Sequence, residues 1–590
     1  MPGADRSPLF RLLRDYAWRH RWSYLGGAGF LWLTNYLAVS IPAQIGEAID
    51  ALRSGVPVGR FVAVIAAMGM AIVGVRTLSR ILIFNPARDL EYHFRKDLFA
   101  HLLRLPPAFF ARHRSGDLIS RAANDIGWVR VMVGFGGLQV LNVTFALVLT
   151  SWKMIDLSPR LTILAALPIA AGVTATQWSI RRLLTLHLRN QRELGDLSDH
   201  VLGSLQGIGT IRGFVAERAF MERFRKRNRA WLRTGMRIAL LRSLAMPILV
   251  LSGGLAVCVL LVIGGPMVAE GKLTIGQLAA FIALLTVLLP PLRSLGWLLS
   301  VVQRGRAALE RLEELSREPE QASAGGAVES VPGVGPEVAI EKLQFAYSDR
   351  TQDKVLKGIT ATIPAGAIVG IYGPTGSGKT SLLRLLARLE EVEPGMIRVD
   401  GVDLTQVELG AWRERVAMAP QRPFLFSETI PFNIALEDEA DAGRVRAAVR
   451  AAALERDIES LPEGLETVVG ERGIMLSGGQ RQRVSLARVL YHGGDLVLLD
   501  DVLSAVDQET EADLVESLRS LVRSPRRPTV VIVSHRLSVL QVTEKILVLD
   551  HGRLVDTGTH QQLIGRKGPY LDAWKAQQDG GRALQGAAAS

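Results

Sequence analysis

Five stretches of this chain, residues 22–46, 131–152, 161–180, 243–269 and 273–292, contain no Asp, Glu, Lys or Arg. Each is as long as an α-helix must be to cross about 30 Å of hydrocarbon, roughly 20 residues. A sixth apolar run, 61–75, is shorter, but its helical pattern continues past Arg76 and Arg80 through Ile81–Phe84. It reads as a spanning helix with a long cytosolic extension, on which Arg76, Arg80 and Arg88 are expected to meet headgroups or solvent, the alternative being an anionic or amphipathic cargo. Six spanning helices are therefore expected, because a buried helical core does not need so many uncharged runs of this length.

The pattern changes after residue 302. Residues 303–317 (QRGRAALERLEELSR) read as an amphipathic helix leaving the membrane, and 317–337 is rich in Gly, Pro, Ser and Ala. From 338 to 576 short β-branched runs (368–372, 496–499, 529–533, 545–549) alternate with helical ones (380–389, 442–454, 479–491, 508–523). That alternation predicts a mainly parallel sheet covered by helices. The fold class is thus an α-helical polytopic membrane domain, 1–316, joined by a linker, 317–337, to an α/β domain, 338–576. A disordered tail, 577–590, is expected to follow. The connections 84–130 and 181–242 are each long enough for two helical arms of about 30 Å, with 109–126 and 205–224 near their turns.

Charge sets the orientation. Arg6, Arg11, Arg14, Arg19 and Arg21 precede the first span, and the long connections are rich in Arg, including Arg223, Arg225, Lys226, Arg227 and Arg229. The short loops between the other spans hold few basic residues. The positive-inside rule then places both termini and both long connections in the cytosol of an inner (plasma) membrane protein. The net charge of +12 lies beside spanning segments, so it fits anionic lipid headgroups and argues against nucleic acid as a partner. The hydrophobic share of 48% and mean hydropathy of +0.22 agree with this. No cleavable signal peptide is expected, since the first apolar run is too long. Cys258, the one cysteine, sits in a spanning run and serves as a packing residue.

The strand AIVGIYG (367–373) runs into GPTGSGKTS (373–381) and then a helical LLRLLARL. Glycines in a strand–loop–helix context let backbone N–H groups curl around phosphate oxygens at a helix N-terminus. Gly373, Thr375, Gly376, Ser377, Gly378, Lys379, Thr380 and Ser381 are therefore the candidate phosphate-binding residues. Lys379 is to reach the β- and γ-phosphates and Thr380 to take a Mg²⁺ position. A second anion-binding helix start lies at LSGGQ, 476–480, with Ser477, Gly478, Gly479 and Gln480. One chain already has its phosphate loop, so the second surface is assigned to the nucleotide of another copy.

These motifs, the segment LVLLDDVLSAVD (496–507) and the six-span half together resemble an ATP-binding cassette (ABC) exporter half-transporter. The likeness runs from about residue 20 to 576, with ATP and Mg²⁺ as the implied cofactors. It implies adenine stacking by Tyr347 and, for Gln421, contact with Mg²⁺ and sensing of the membrane domain. It also implies a cross-contacting loop at Gly470, Glu471 and Gly473, communication between sites by Asp507, γ-phosphate binding by His535, and a Mg²⁺-side acid at Asp500. The segments near 109–126 and 205–224 resemble coupling helices that dock on nucleotide domains.

Asp501 occupies the position of the general base, where the family usually has glutamate. A carboxylate one methylene shorter is misplaced by about 1 Å, a displacement that can lower a rate by about 100-fold. Asp501, His535 and Gln421 are thus the catalytic candidates, with the base impaired. An impaired base beside an intact LSGGQ resembles one member of the bacterial multidrug-resistance-like heterodimeric exporters. The expected partners are a second half-transporter, the bilayer and a lipophilic or amphipathic small molecule. A homodimeric exporter, or a membrane-bound regulatory ATPase that moves nothing, are the alternatives.

Overall fold

The computed structural model describes residues 14, 16, 18–321, 334–347, 353–470, 476–504, 508–523, 525 and 527–588. The chain divides into two units: Met1–Leu103 with Ser115–Glu318, and Arg104–Arg114 with Pro319–Ser590.

The first unit is built on six long helices: α1 (Arg21–Arg53), α2 (Gly59–Arg104), α3 (Ser115–Leu157), α4 (Pro159–Gln206), α5 (Glu217–Ala269) and α6 (Ile275–Ser316). The runs in α2 to α6 are long and apolar enough to cross a membrane. The run in α1 is as long and as free of charge, though Trp, Tyr and Asn35 make it less apolar than the others. Helix starts follow local chemistry. Ser158 caps α4 ahead of Pro159, and Thr274 forms a capping box with Gln277 at α6. Asp50 accepts hydrogen bonds from Thr274 Oγ1 (2.5 Å) and the Gly276 N–H (2.9 Å), closing α1 onto α6. A Cβ at Gly276 would lie 2.0 Å from the Gly46 carbonyl oxygen, so this crossing requires glycine.

Within this unit α1, α3 and α6 pack on one another, and α4 pairs along its length with α5. Arg311 donates two hydrogen bonds, 2.8 and 2.5 Å, to the buried Asp125 carboxylate and so ties α6 to α3. The expected arms are present: α2 has 46 residues, α4 48 and α5 53, with the short helix Ile208–Gly213 joining the last two. The other turn lies earlier than the segment 109–126 chosen from sequence. From Ser115 the chain already belongs to α3, and only Arg104–Arg114, with its short helix Pro107–Arg112, joins the second unit.

In the second unit a six-stranded sheet has the order β10-β9-β3-β8-β7-β6. Its strands are β3 (Ile368–Tyr372), β6 (Val416–Ala419), β7 (Leu496–Asp500), β8 (Thr529–Val533), β9 (Lys545–Asp550) and β10 (Arg553–Gly558). All neighbours are parallel except the hairpin β9–β10. The central strands are buried along their length, which explains their continuous rather than alternating hydrophobicity. A smaller antiparallel sheet, β2-β1-β4-β5, comprises β1 (Val338–Phe345), β2 (Leu356–Ile363), β4 (Ile397–Val399) and β5 (Val402–Asp403). The core between the sheets holds Trp412, fully buried, whose indole N–H donates to the Leu386 carbonyl at 2.9 Å. The last helix, Pro569–Ala588, carries regular backbone past 577, where the sequence reading expects a disordered tail. Its Ala, Leu, Arg and Gln residues are good helix formers.

Trp412→Ala removes the largest side chain of that core and leaves the Leu386 carbonyl unpaired. It is expected to destabilise the nucleotide unit by about 3–5 kcal/mol. The measurement is the urea midpoint for loss of fluorescent ATP-analogue binding, which should drop while the helical signal of the membrane unit persists.

Candidate active site

β3 ends at Tyr372 and the chain turns through Gly373–Gly378 into helix α7 (Lys379–Leu386). A Cβ at Gly373 would lie 2.2 Å from the Leu549 carbonyl oxygen, and Gly378 has φ +97° at the helix N-cap. These are the positions where glycine lets the loop fold tightly over the strand ends. The loop borders a cavity of about 220 Å³ lined by Thr375, Gly376, Gly378, Lys379, Thr380 and Ser381, with Gln421, Asp500, Asp501 and His535 opposite. The structure thus gathers most of the sequence-derived candidates into one site, at the C-terminal edge of parallel strands. The buried Ser377 Oγ has no hydrogen-bond partner.

Charge is concentrated there. Lys379 is 7% exposed, and its Nζ donates to the carbonyl oxygens of Gly373 (2.6 Å) and Pro374 (2.9 Å). Burial pulls its pKa down, against the attraction of Asp500 and Asp501. Asp500, 2% exposed at the end of β7, accepts a 2.8 Å hydrogen bond from Thr380 Oγ1. Burial pushes its carboxyl above the usual carboxylate range; the Thr380 hydrogen bond opposes this, while the neighbouring Asp501 adds to it. Asp501 is 6% exposed and left-handed, with φ +52°, a conformation that Asp tolerates better than most residues. Its N–H donates to the Val533 carbonyl at 3.0 Å, and its Oδ1 accepts the His535 N–H at 3.4 Å.

Tyr347 donates to or accepts from Ser381 Oγ at 2.9 Å and meets Phe345 edge-on at 4.8 Å. Its ring is thereby held beside α7. LSGGQ opens helix α8 (Gly478–His492) as a capping box: Ser477 Oγ accepts the Gln480 N–H, and Gln480 Oε1 accepts the Ser477 N–H at 2.8 Å. Gln480 Nε2 also donates to Asp457 at 3.0 Å. Among the described residues, none of LSGGQ lines the phosphate-loop cavity of its own chain. Asp507, Glu471 and Gly473 lie outside the described residues; Gly470 follows Val469, whose N–H pairs with the Glu428 carbonyl.

Two polar residues that the sequence did not single out support this region. Buried Gln482 donates to the Gln421 carbonyl (3.4 Å) and Ser504 Oγ (3.3 Å). Glu511 pairs with Arg536 and accepts from Ser538 Oγ at 2.6 Å, next to His535. Neither belongs to a short motif, so spacing offered no signal.

The donors fit a nucleotide and a hard divalent cation. The loop supplies N–H groups, an ammonium and the unpartnered Ser377 hydroxyl; Thr380, Asp500 and Gln421 supply hydroxyl, carboxylate and amide oxygens. Mg²⁺ takes one or two protein carboxylates with phosphate oxygens and water completing its octahedron.

Fold and site define a membrane-embedded phosphate-loop ATPase, and comparison with known proteins gives its family. Residues 28–292 match the ABC transporter transmembrane region and 356–504 the ABC transporter domain. The multidrug resistance-like ATP-binding protein MdlA of Escherichia coli is 34% identical over 96% of this chain and 97% of its own. The probable multidrug resistance ABC transporter ATP-binding/permease protein YheI of Bacillus subtilis is 32% identical over 97% and 98%. An ATP-dependent lipid A-core flippase of Chromohalobacter salexigens is 30% identical over 97% and 98%. A bacterial Atm1-family ABC exporter with ATP bound superposes with a TM-score of 0.79 at 28% identity, covering 94% of this chain and 99% of that one. The chain belongs to the ABC transporter family and has the exporter architecture, a multi-pass membrane domain fused to an ATP-binding domain. ATP hydrolysis coupled to transport is the chemistry of that family.

Lys379→Ala should weaken ATP binding by about 10- to 100-fold, the loss of a charged hydrogen-bond donor. Thr380→Val should leave Mg²⁺-free ATP binding unchanged and abolish the gain in affinity on adding Mg²⁺. Equilibrium titration with a fluorescent ATP analogue, with and without Mg²⁺, reads both.

Proposed function

We propose that this chain is one half of a two-chain ATP-driven exporter whose own phosphate-loop site hydrolyses slowly. The observation that carries this is Asp501: a buried carboxylate at the general-base position, one methylene shorter than the family's glutamate, and engaged by the His535 N–H at 3.4 Å. The phosphate loop and LSGGQ of one chain serve different surfaces, which supports ATP binding between the loop of one chain and the LSGGQ of another. LSGGQ matches the family consensus throughout, so the site it completes on the partner is the active one.

In this reading the loop N–H groups and Lys379 hold the phosphates. Thr380, Asp500 and Gln421 hold Mg²⁺, which when bound offsets phosphate charge. His535 contacts the terminal phosphate, Tyr347 stacks on adenine, and Asp507 links the two sites. Asp501 must orient the attacking water; positioning is most of what a protein contributes to phosphoryl transfer, so a short base is slow. Closure of the nucleotide units is passed to the membrane helices through Arg104–Arg114 and the turn at Ile208–Gly213, where Phe214 is 82% exposed. The names of the relatives, multidrug-resistance-like proteins and lipid A-core flippases, support a lipophilic or amphipathic cargo. The basic arms support cytosolic termini in a bacterial inner membrane.

The relatives fit a homodimer equally well; Asp501 alone favours a different partner, one carrying a glutamate base. The purified chain alone should show ATPase activity at least about 10-fold below that of its complex with such a partner. Asp501→Glu should raise turnover of the complex. Full turnover by the single chain would overturn the two-chain assignment, and no gain from Asp501→Glu would overturn the short base as the limit.

A further inference from the structure

β3, which feeds the phosphate loop, ends at Tyr372, whose ring meets Tyr570 edge-on at 5.4 Å. Tyr570 is buried at the start of the C-terminal helix Pro569–Ala588. Ala573 and Trp574 pack on the same cluster, over Leu537 and Leu540. Positions 570, 573, 574 and 577 recur at the spacing of one helical face, so Gln577 is the next residue of that stripe. Its amide reaches the His535 loop: Nε2 donates to the His535 carbonyl at 2.8 Å, and Oε1 accepts the Leu537 N–H at 3.2 Å.

His535 is thus fixed on both sides of its own backbone. Its N–H is held by Asp501 Oδ1 and its C=O by Gln577, while Glu511 holds the next turn through Arg536 and Ser538. The Gln577 amide serves both contacts because it carries a donor and an acceptor on separate atoms, which neither a carboxylate nor an ammonium does. Release of the His535 carbonyl would let that peptide rotate and carry the imidazole away from the cavity it lines.

We infer that Gln577, on a helix beyond the matched ATP-binding segment, is a positioning residue that sets His535 against the terminal phosphate of ATP. This rests on the reading of His535 as the γ-phosphate contact. The C-terminal helix then acts as a brace: packed on the strand that enters the phosphate loop, it extends to the loop that senses the last phosphate.

The test is competition binding of ATP and ADP, with Mg²⁺, to the full-length chain in nanodiscs, against a fluorescent ATP analogue. Q577A should weaken ATP by about 3- to 10-fold, the loss of one or two hydrogen bonds, and leave ADP within about two-fold. In an H535A background Q577A should add less than about two-fold, because both changes act through one contact. Q577E keeps the acceptor, loses the donor and should give the same ATP-selective loss, which covers a failure of Q577A to fold. Parallel weakening of ATP and ADP, no change in either, or equal losses with and without His535 would overturn the positioning role and leave the site assignment standing. ATP affinity unaffected by H535A would overturn both.

Discussion

Three charged groups, Lys379, Asp500 and Asp501, are buried together where β3 and β7 end, and the loops of the nucleotide unit around them answer to that constraint. Desolvation penalises each of them, so each needs fixed partners. Lys379 finds them in two loop carbonyls that exist only because Gly373 and its neighbours let the chain fold onto the strand edge. Asp500 finds one in Thr380, the second residue of α7. Asp501 finds one in a backbone N–H of the His535 loop, and that loop is held in turn by Glu511 and Gln577. The loop N–H groups, the Lys379 ammonium and the unpartnered Ser377 hydroxyl stand at the same strand edge, a donor set that suits the phosphates of ATP.

The same constraint separates the two neighbouring acids. Asp500 belongs to the strand and shares its proton-accepting face with Thr380. Asp501 has already left the strand, in a left-handed turn closed by Ser504 onto its carbonyl. Its carboxylate is therefore placed by a turn rather than by the sheet, and the length of its side chain decides how far it reaches. Ser477 is held within its own helix cap, where its oxygen accepts the Gln480 N–H and its N–H donates to Gln480 Oε1.

Much of this was legible in the residues. Charge-free runs revealed the spanning helices because hydrocarbon excludes ions, and glycine spacing revealed the phosphate loop because few other residues permit its backbone. The run in α1 is legible as a span from its length and lack of charge, although its Trp and Tyr make it less apolar than the others. The turn that joins the nucleotide unit was placed too late, since Ser115–Ser120 and the turns after it continue α3 without an apolar break. Gln482, Glu511 and Gln577 escaped notice for one physical reason. Each is a polar residue on an amphipathic helix, where pattern alone cannot distinguish a solvated side chain from one that holds a group of a distant loop. Gln577 was placed just past the domain, in the expected disordered tail, although Tyr570, Ala573 and Trp574 already mark a packed face leading to it.

In the two-chain exporter proposed above, ATP held by this chain's phosphate loop outlasts ATP held by its partner's. Photoreactive ATP labelled on the γ-phosphate, compared with the same probe labelled on the α-phosphate, measures this on the assembled exporter under turnover. Equal γ and α label is expected on this chain and predominantly α label on the partner. Loss of γ label from this chain at the partner's rate would contradict it.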